Sequence, residues 1–466
     1  MRSHDAYDEQ STALDSWPTG AVSPGLFKEH VRSGEITAVR LAVPDMQGRP
    51  KGKILTAPVF VERMDSKAEM CAYVLATDID MTPLPGYDLT GWDQGYGDLG
   101  VKADLSSIRL LPHQPGTALI MGDVFHEDGR PVEVAPRRML RTQLERLADL
   151  GYHVALGTEV EFLLYQGTAQ DAHQAGYHGL RPAWPHNLDY ALGHPPEITD
   201  FFRYLHDALQ AAGIPVEAIK TEGAAGQVEV TFVYGEVMSA CDAYTAFQLI
   251  VQDLAQRHGM TPTFMAAPDT GIGSGLHLHL SLWSRNGNAF THRRGQDLPP
   301  AMERAVAGLV SGMPALAPLY APTPNSYKRY APHTFSPTRY TWGYDNRGCA
   351  IRITGSGENA HLEIRLPGAN ANLYLALTAA CAAIIHGLQD HPELPPPCDG
   401  DPYTTDATPV PADLTEALGG FHGNKIVHDA LGETVMRHYA RAAEAELAWH
   451  RREVTDIERE RGFLRA

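Results

Sequence analysis

The chain has 466 residues, 43% of them hydrophobic, which is too long for one simple core and supplies enough apolar material for two domains. Its 38 basic and 56 acidic residues leave a formal net charge of −18, which excludes nucleic acid as the expected partner and suits solubility or the drawing of cations into a cleft. Five scattered cysteines without CxxC spacing argue against a disulfide framework or a zinc knuckle and for a reducing cytoplasm.

Residues 1–22 are polar, lack the apolar stretch of a signal peptide, and read as a flexible tail. No run is expected to reach the length of a membrane span. From 23 to 131 the chain reads as short strands. ITAVRLAVPDMQGRPKGKIL is strand, loop and strand, GYDLTGWDQGYGDLGVKADL reads as an exposed functional loop, and TALIMGDV is a buried strand. A helix is expected near Val134, with Pro136 in its first turn. From 132 to 466 helices and strands then alternate, including helices over TDFFRYLHDALQAAG, AYTAFQLIVQDLAQRHG, MERAVAGLVSGM and NLYLALTAACAAIIHGLQ. A Pro-rich loop, HPELPPPCDGDP, precedes the closing helices.

Four of the strand-like runs carry polar residues two positions apart. They are Glu159 and Glu161 in TEVEFLL, Gln227 and Glu229 in QVEVTF, His277 and His279 in LHLHLSL, and Glu363 and Arg365 in HLEIRLP. On a strand such pairs share one face, with Val, Leu or Ile on the other. Taken singly, each run also reads as an amphipathic strand with a wet outer face. Four together, built mostly of metal-ligating types, point to one carboxylate-rich concave site on a curved sheet.

Glu159, Glu161, Glu222, Glu229 and Glu363 with His277 form a hard, oxygen-rich donor set suited to Mg²⁺ or Mn²⁺ rather than Zn²⁺ or copper. Clustered carboxylates need cations to stay ionised in a dry site, and two or more divalent ions could also grip ATP phosphates. Arg329, Arg347, Arg352 and Arg365 are the matching guanidiniums for carboxylate or phosphate, each with a surface ion pair as its plainer reading. The GIGSG run before the histidines gives a ligand room to approach the backbone.

These residues together resemble the glutamine synthetase family. TEVEF resembles its GxExEF strand, EGAAGQVE its ExxxGQxE run and GSGLHLHLSLW its GSGxHxHxSLW segment. NSYKR and NRGCAIRI resemble its arginine segments, HLEIRLPGANANLYLA its ExRxPxxxxNxYLA segment, and DMQGRPKGK its N-terminal β-grasp loop. The resemblance implies an α+β fold, with a β-grasp domain over 23–131 and, over 132–466, a catalytic domain built on a curved antiparallel sheet flanked by helices. It implies ATP-dependent formation of γ-glutamyl phosphate followed by attack of an amine. Glu161, Glu222 and Glu229 would hold one metal, and Glu159, His277 and Glu363 a second. Glu222, His279, Ser281 and Arg352 would lie toward the nucleotide. Arg329, Arg347, Arg365 and the Gly273 backbone would position glutamate. Catalytic roles would fall to Arg329, Arg347 and Asp104. A cytoplasmic dodecamer of two hexameric rings, with sites between neighbouring subunits and no membrane partner, is implied in the same way.

Three departures from the family's pattern lie around the amine site. Phe335, in RYAPHTFSP, stands where the family's flap glutamate would be. TGWDQGYGDLGVKAD replaces the loop that supplies its ammonium-binding aspartate, and Ile272 replaces the asparagine of its NGSG motif. Phe335 cannot attract or deprotonate ammonium but can line a pocket for alkyl carbons. The resemblance therefore points to enzymes that join glutamate to larger amines. A diamine's far ammonium would need carboxylates, for which Asp93, Asp98 and Asp104 are candidates, with Trp92 and Tyr96 packing on methylenes or cation. For Asp93 and Asp98 ordinary turn chemistry is an equal alternative, and only Asp104, which resembles the family's acidic residue ahead of the LxP run, rises above it. A polyamine is preferred on this reading. The alternatives are ethanolamine, then ammonia and ordinary glutamine synthesis, then a non-catalytic homologue.

Overall fold

The computed structural model describes residues 21–465. The tail expected over 1–22 therefore lies, through residue 20, outside the described residues.

The first unit is a six-stranded sheet behind helix α1 (Pro24–Ser33). Its strands are β1 (Ala38–Pro44), β2 (Pro50–Thr56), β3 (Ala68–Cys71), β4 (Asp98–Ala103), β5 (Arg109–Leu110) and β6 (Thr117–Phe125), in the order β2-β1-β6-β4-β3 with β5 on β6. β1 and β6 run parallel and the other neighbours antiparallel. The stretch expected to be one exposed loop is divided. Its second half is β4, where Leu99 and Val101 are buried, whereas Trp92 in the first half is 80% exposed.

The second unit carries the longer helices: α2 (Pro136–Asp149), α3 (Pro196–Ala211), α4 (Val237–Arg257), α5 (Pro300–Gly312), α6 (Leu373–Asp390) and α7 (Lys425–Arg452). Proline stands in the first turn of α2, α3 and α5, where its missing N–H costs nothing. α4 starts six residues before the expected run, because Glu236 caps it by accepting from the main-chain N–H groups of Met238 (3.0 Å) and Ser239 (2.7 Å). α6 is long and apolar enough to cross a membrane, contrary to expectation, but it lies in the core. It packs on α5 with backbones in contact: a Cβ at Gly387 would fall 2.0 Å from the Arg304 carbonyl oxygen, so only glycine fits this crossing.

These helices flank a ten-stranded sheet of β7 (His153–Gln166), β8 (Val216–Thr221), β9 (Gln227–Phe232), β10 (Gly235–Glu236), β11 (Met260–Thr263), β12 (Leu276–Ser284), β13 (Gly287–Asn288), β14 (Trp342–Tyr344), β15 (Ile351–Thr354) and β16 (His361–Ile364). The main order is β14-β15-β16-β12-β7-β9-β8, antiparallel except for β14–β15. One face is core: Val160, Phe162, Val228, Val230, Leu276, Leu278 and Leu280 are fully buried, and Phe247 of α4 meets the rings of Phe162 and Phe232 at 6.1 and 5.0 Å. By the period-two rule the intervening residues face the other way.

The two units are pinned together by Arg137 at the start of α2. It donates to Asp123 of β6 (2.9 Å), to Asp104 just after β4 (2.5 Å), and to Asp242 of α4. Tyr374 of α6 also donates to Asp242, at 2.5 Å. Buried charges persist only when paired and hydrogen-bonded in this way.

Candidate active site

Strand register, rather than sequence proximity, assembles the polar face of the large sheet. Lys220 lies opposite Glu229, and Glu229 opposite Glu161. One step along β7, Glu159 lies opposite His277. His279 then faces Glu363, which faces Arg352 on the far side. Directly opposed residues share a face, so the alternation legible in each run becomes one continuous polar band across five strands and onto a sixth.

Within that band the ligand-type atoms fall into two groups, Glu159–His277–Glu363 and Glu161–Glu222–Glu229, each with its atoms within 4.8 Å of one another. His277 is 3% exposed, and neither of its ring nitrogens has a hydrogen-bond partner. Its Nδ1 lies 3.8 Å from Glu159 Oε1 and 3.6 Å from Glu363 Oε1. These gaps are too long for hydrogen bonds but match the spacing of ligands around one shared ion. A buried, unpartnered imidazole among carboxylates thus fits a hard divalent cation.

The electrostatics carry the same tension. Burial opposes ionisation of Glu363, but Arg365, His277, His279 and Arg352 outweigh it and hold the carboxyl down at about 2. Glu159 is likewise held below the usual carboxylate range, its burial overcome by the imidazoles of His277 and His279. Glu229 is pushed upward by burial and by the neighbouring Glu159 charge. Two close carboxylates cannot both be ionised cheaply, and a divalent cation removes that conflict.

The flanking side chains are tied in. Glu161 accepts from the Gly275 N–H at 2.7 Å, and Gln227 Nε2 donates to the Gly273 carbonyl at 2.8 Å, which fixes the glycine run against the sheet. A Cβ at Gly275 would come within 2.7 Å of both Arg329 Nη2 and His277 Nε2, so glycine is what leaves room for the guanidinium and the imidazole beside this strand. Arg329 is buried and donates to the carbonyls of Arg365 and Leu366, both at 3.2 Å. Arg352 donates to Glu363 at 2.7 Å and Asp345 at 2.6 Å, and Arg365 also pairs with Glu363. His279 Nε2 lies 2.8 Å from Glu159. Ser281 is buried between the Tyr234 hydroxyl (2.6 Å) and the Trp283 indole N–H (2.9 Å).

Other expected members lie elsewhere. Asp104 accepts from Arg137 and from Arg141 (2.7 Å), together with Ser106, and its charge is spent between the two units. Within the chain it sits in an ion pair that joins the two units. Asp98 is exposed at the start of β4, and Arg347 is exposed on the turn between β14 and β15. Phe335 turns a 67% exposed ring outward on a left-handed backbone (φ +58°), while its carbonyl oxygen accepts from Arg365 at 3.5 Å. That conformation is costly for a bulky side chain and marks a constrained flap.

Sequence reasoning missed Lys220, which pairs with Glu222 at 21% side-chain exposure, and His361, whose Nε2 lies 3.1 Å from His279 Nδ1. Lys220 and Glu222 are themselves two apart in IKTEG, the same signal that revealed the other pairs.

The glutamine synthetase catalytic-domain family matches residues 133–462, which takes in every strand of this sheet. The chain belongs to the glutamine synthetase family. Members of that family form C–N bonds with ATP, and the chain is a ligase of this kind. It is 40% identical over 437 residues to the γ-glutamylethanolamide synthetase of Streptomyces coelicolor, covering 93% of this chain and 94% of that one. It is 32% identical to the γ-glutamylputrescine synthetase of Escherichia coli, covering 90% of each. A solved GmaS–ADP complex superposes with a TM-score of 0.81 at 26% identity, covering 94% of this chain and 99% of that one.

Proposed function

We propose that this chain joins the γ-carboxyl of glutamate to a small organic amine, with ethanolamine favoured over a diamine. The observation that carries the choice is the pairing of Asp104 with Arg137 and Arg141. The polyamine preference required free carboxylates for a second ammonium, and the best candidate has none of its charge to spare. A neutral hydroxyl tail needs no such partner. Similarity to a γ-glutamylethanolamide synthetase at 40% identity supports the same choice. Phe335 in the flap disfavours ammonia, since it supplies no base and no negative charge.

In this reading the γ-carboxylate of glutamate attacks the γ-phosphorus of ATP and ADP departs. The amine nitrogen then attacks the acyl carbon, phosphate leaves, and the nitrogen gives up a proton. Glu159, His277 and Glu363 would hold one divalent cation, and Glu161, Glu222 and Glu229 another. Such cations supply neutralisation of phosphate charge. Arg329, Arg365 and the Gly273 backbone orient glutamate, while Arg352, His279 and Ser281 face the nucleotide. Arg347, on its exposed turn, has to fold inward to join them. The β-grasp topology of the first sheet and assembly into two hexameric rings belong to the same proposal.

The test is competition. Glutamate, ATP and Mg²⁺ are incubated with equimolar ammonium, ethanolamine and putrescine, and the products are identified by mass spectrometry. γ-Glutamylethanolamide should dominate. Dominant γ-glutamylputrescine would restore the diamine reading, and glutamine alone would overturn the rebuilt amine site.

A further inference from the structure

Lys220 projects from β8 into the Glu161–Glu222–Glu229 group. Its ammonium pairs with Glu222 and lies 3.4 Å from Glu229 Oε1. The same nitrogen lies 3.4 Å from Asp189 Oδ1 and 4.6 Å from the centre of the Tyr190 ring. Asp189 does not depend on Lys220 for its position. The loop that bears it is pinned to β8 and the turn after it, with Asn187 Nδ2 donating to the Gly223 carbonyl (2.8 Å) and Thr221 Oγ1 to the Leu188 carbonyl (2.6 Å).

An ammonium and a divalent cation repel each other and cannot share three carboxylates. A flexible lysine stem can move its charge a few ångströms, provided a second acceptor waits there. Asp189 and the Tyr190 face are such an acceptor, held in place by the two main-chain contacts.

We propose that Lys220 is a resident counter-ion of this carboxylate group, holding Glu222 until a divalent cation binds and then passing to Asp189. The inference rests on the reading of Glu161, Glu222 and Glu229 as cation ligands. It makes Lys220 a positioning residue that keeps the group ordered and sets how tightly the cation is taken.

The test uses the full chain, titrated with Mn²⁺ by calorimetry and by the paramagnetic resonance of free Mn²⁺, alongside thermal melts in EDTA. Lys220→Met should bind Mn²⁺ about fivefold more tightly, the scale of one modest ion pair. It should also melt below the wild type in EDTA and gain more on adding Mn²⁺. Lys220→Arg should behave as the wild type. Asp189→Asn should bind Mn²⁺ several-fold more weakly, because the displaced ammonium has lost its acceptor. Unchanged or weaker Mn²⁺ binding by Lys220→Met would overturn the counter-ion role, and unchanged binding by Asp189→Asn would overturn the transfer. Glu229→Gln separates this from its basis. If that variant loses Mn²⁺ while Lys220→Met is unaffected, only the role of Lys220 falls. If it binds Mn²⁺ like the wild type, the carboxylate group is not a cation site and both readings fall.

Discussion

Asp104→Asn separates a structural carboxylate from a catalytic one. Asp104 accepts from Arg137 Nη2 (2.5 Å), Arg141 Nη2 (2.7 Å), the Ser106 N–H (3.1 Å) and the Ser106 hydroxyl (2.6 Å). Asparagine can keep the Ser106 bonds through its carbonyl but loses the charge that two guanidiniums use. Arg137 retains Asp123 and Asp242, so no buried charge is left alone. Charge-assisted bonds contribute about 1.5–3 kcal/mol each, and with that partial compensation the loss should be about 2 kcal/mol, or about 2 °C in melting temperature for a chain of this length. The acid limb provides a second signature. Burial alone would raise the Asp104 pKa, but the Ser106 hydrogen bonds and the Arg137 and Arg141 charges outweigh it and hold the group below its ordinary value. The stability contributed by ionised Asp104 is therefore present above the unfolded pKa and is lost as pH falls through the folded one. Asp104→Asn should flatten that limb. Melting curves across pH, paired with steady-state phosphate release, read both. A structural role leaves kcat within about threefold, whereas a proton-transfer role costs about 100-fold or more. A large kcat loss with unchanged melting would refute the structural assignment.

Glu229→Gln and Glu363→Gln should each abolish phosphate release and remove the rise in melting temperature that Mn²⁺ gives the wild type; activity in both would sink the site assignment. Phe335→Glu should raise ammonium-dependent turnover, read as glutamine formed, because it returns a carboxylate to the flap; no gain would mean that more than the flap excludes ammonia. His438 is buried against Tyr87 and held down at about 4 by burial, as is His113. The unfolded chain thus binds these protons first, and stability falls as pH drops from about 6.5 to about 4, by about 3 kcal/mol per histidine. His438→Phe should remove about half of that slope in pH-dependent melts, and an unchanged slope would contradict it.

Much of the large sheet was legible because its polar pairs recur at the strand period with apolar residues between them, as in TEVEF and LHLHL. What no single run discloses is register: that His277 meets Glu159 and Arg352 meets Glu363 depends on pairings between distant segments. The pairing of Asp104 was hidden for the same reason, since its partner Arg137 lies on a helix 33 residues away. β4 was hidden by glycine and aspartate, which usually mark loops, although Leu99 and Val101 alternate beneath them. Lys220 was overlooked because a lysine beside a glutamate reads as a solvated surface pair until the strand beneath it is placed. Nor did the sequence show that Arg347, placed in the site by its resemblance to a family arginine segment, stands on an exposed turn.

The most direct measurement is phosphate release from ATP with glutamate and Mg²⁺, comparing kcat/KM for ethanolamine, putrescine, spermidine and ammonium in separate reactions. Activity dependent on an organic amine, ethanolamine foremost, with little for ammonium, is the expected result. Activity with ammonium alone would contradict it and return the chain to glutamine synthesis.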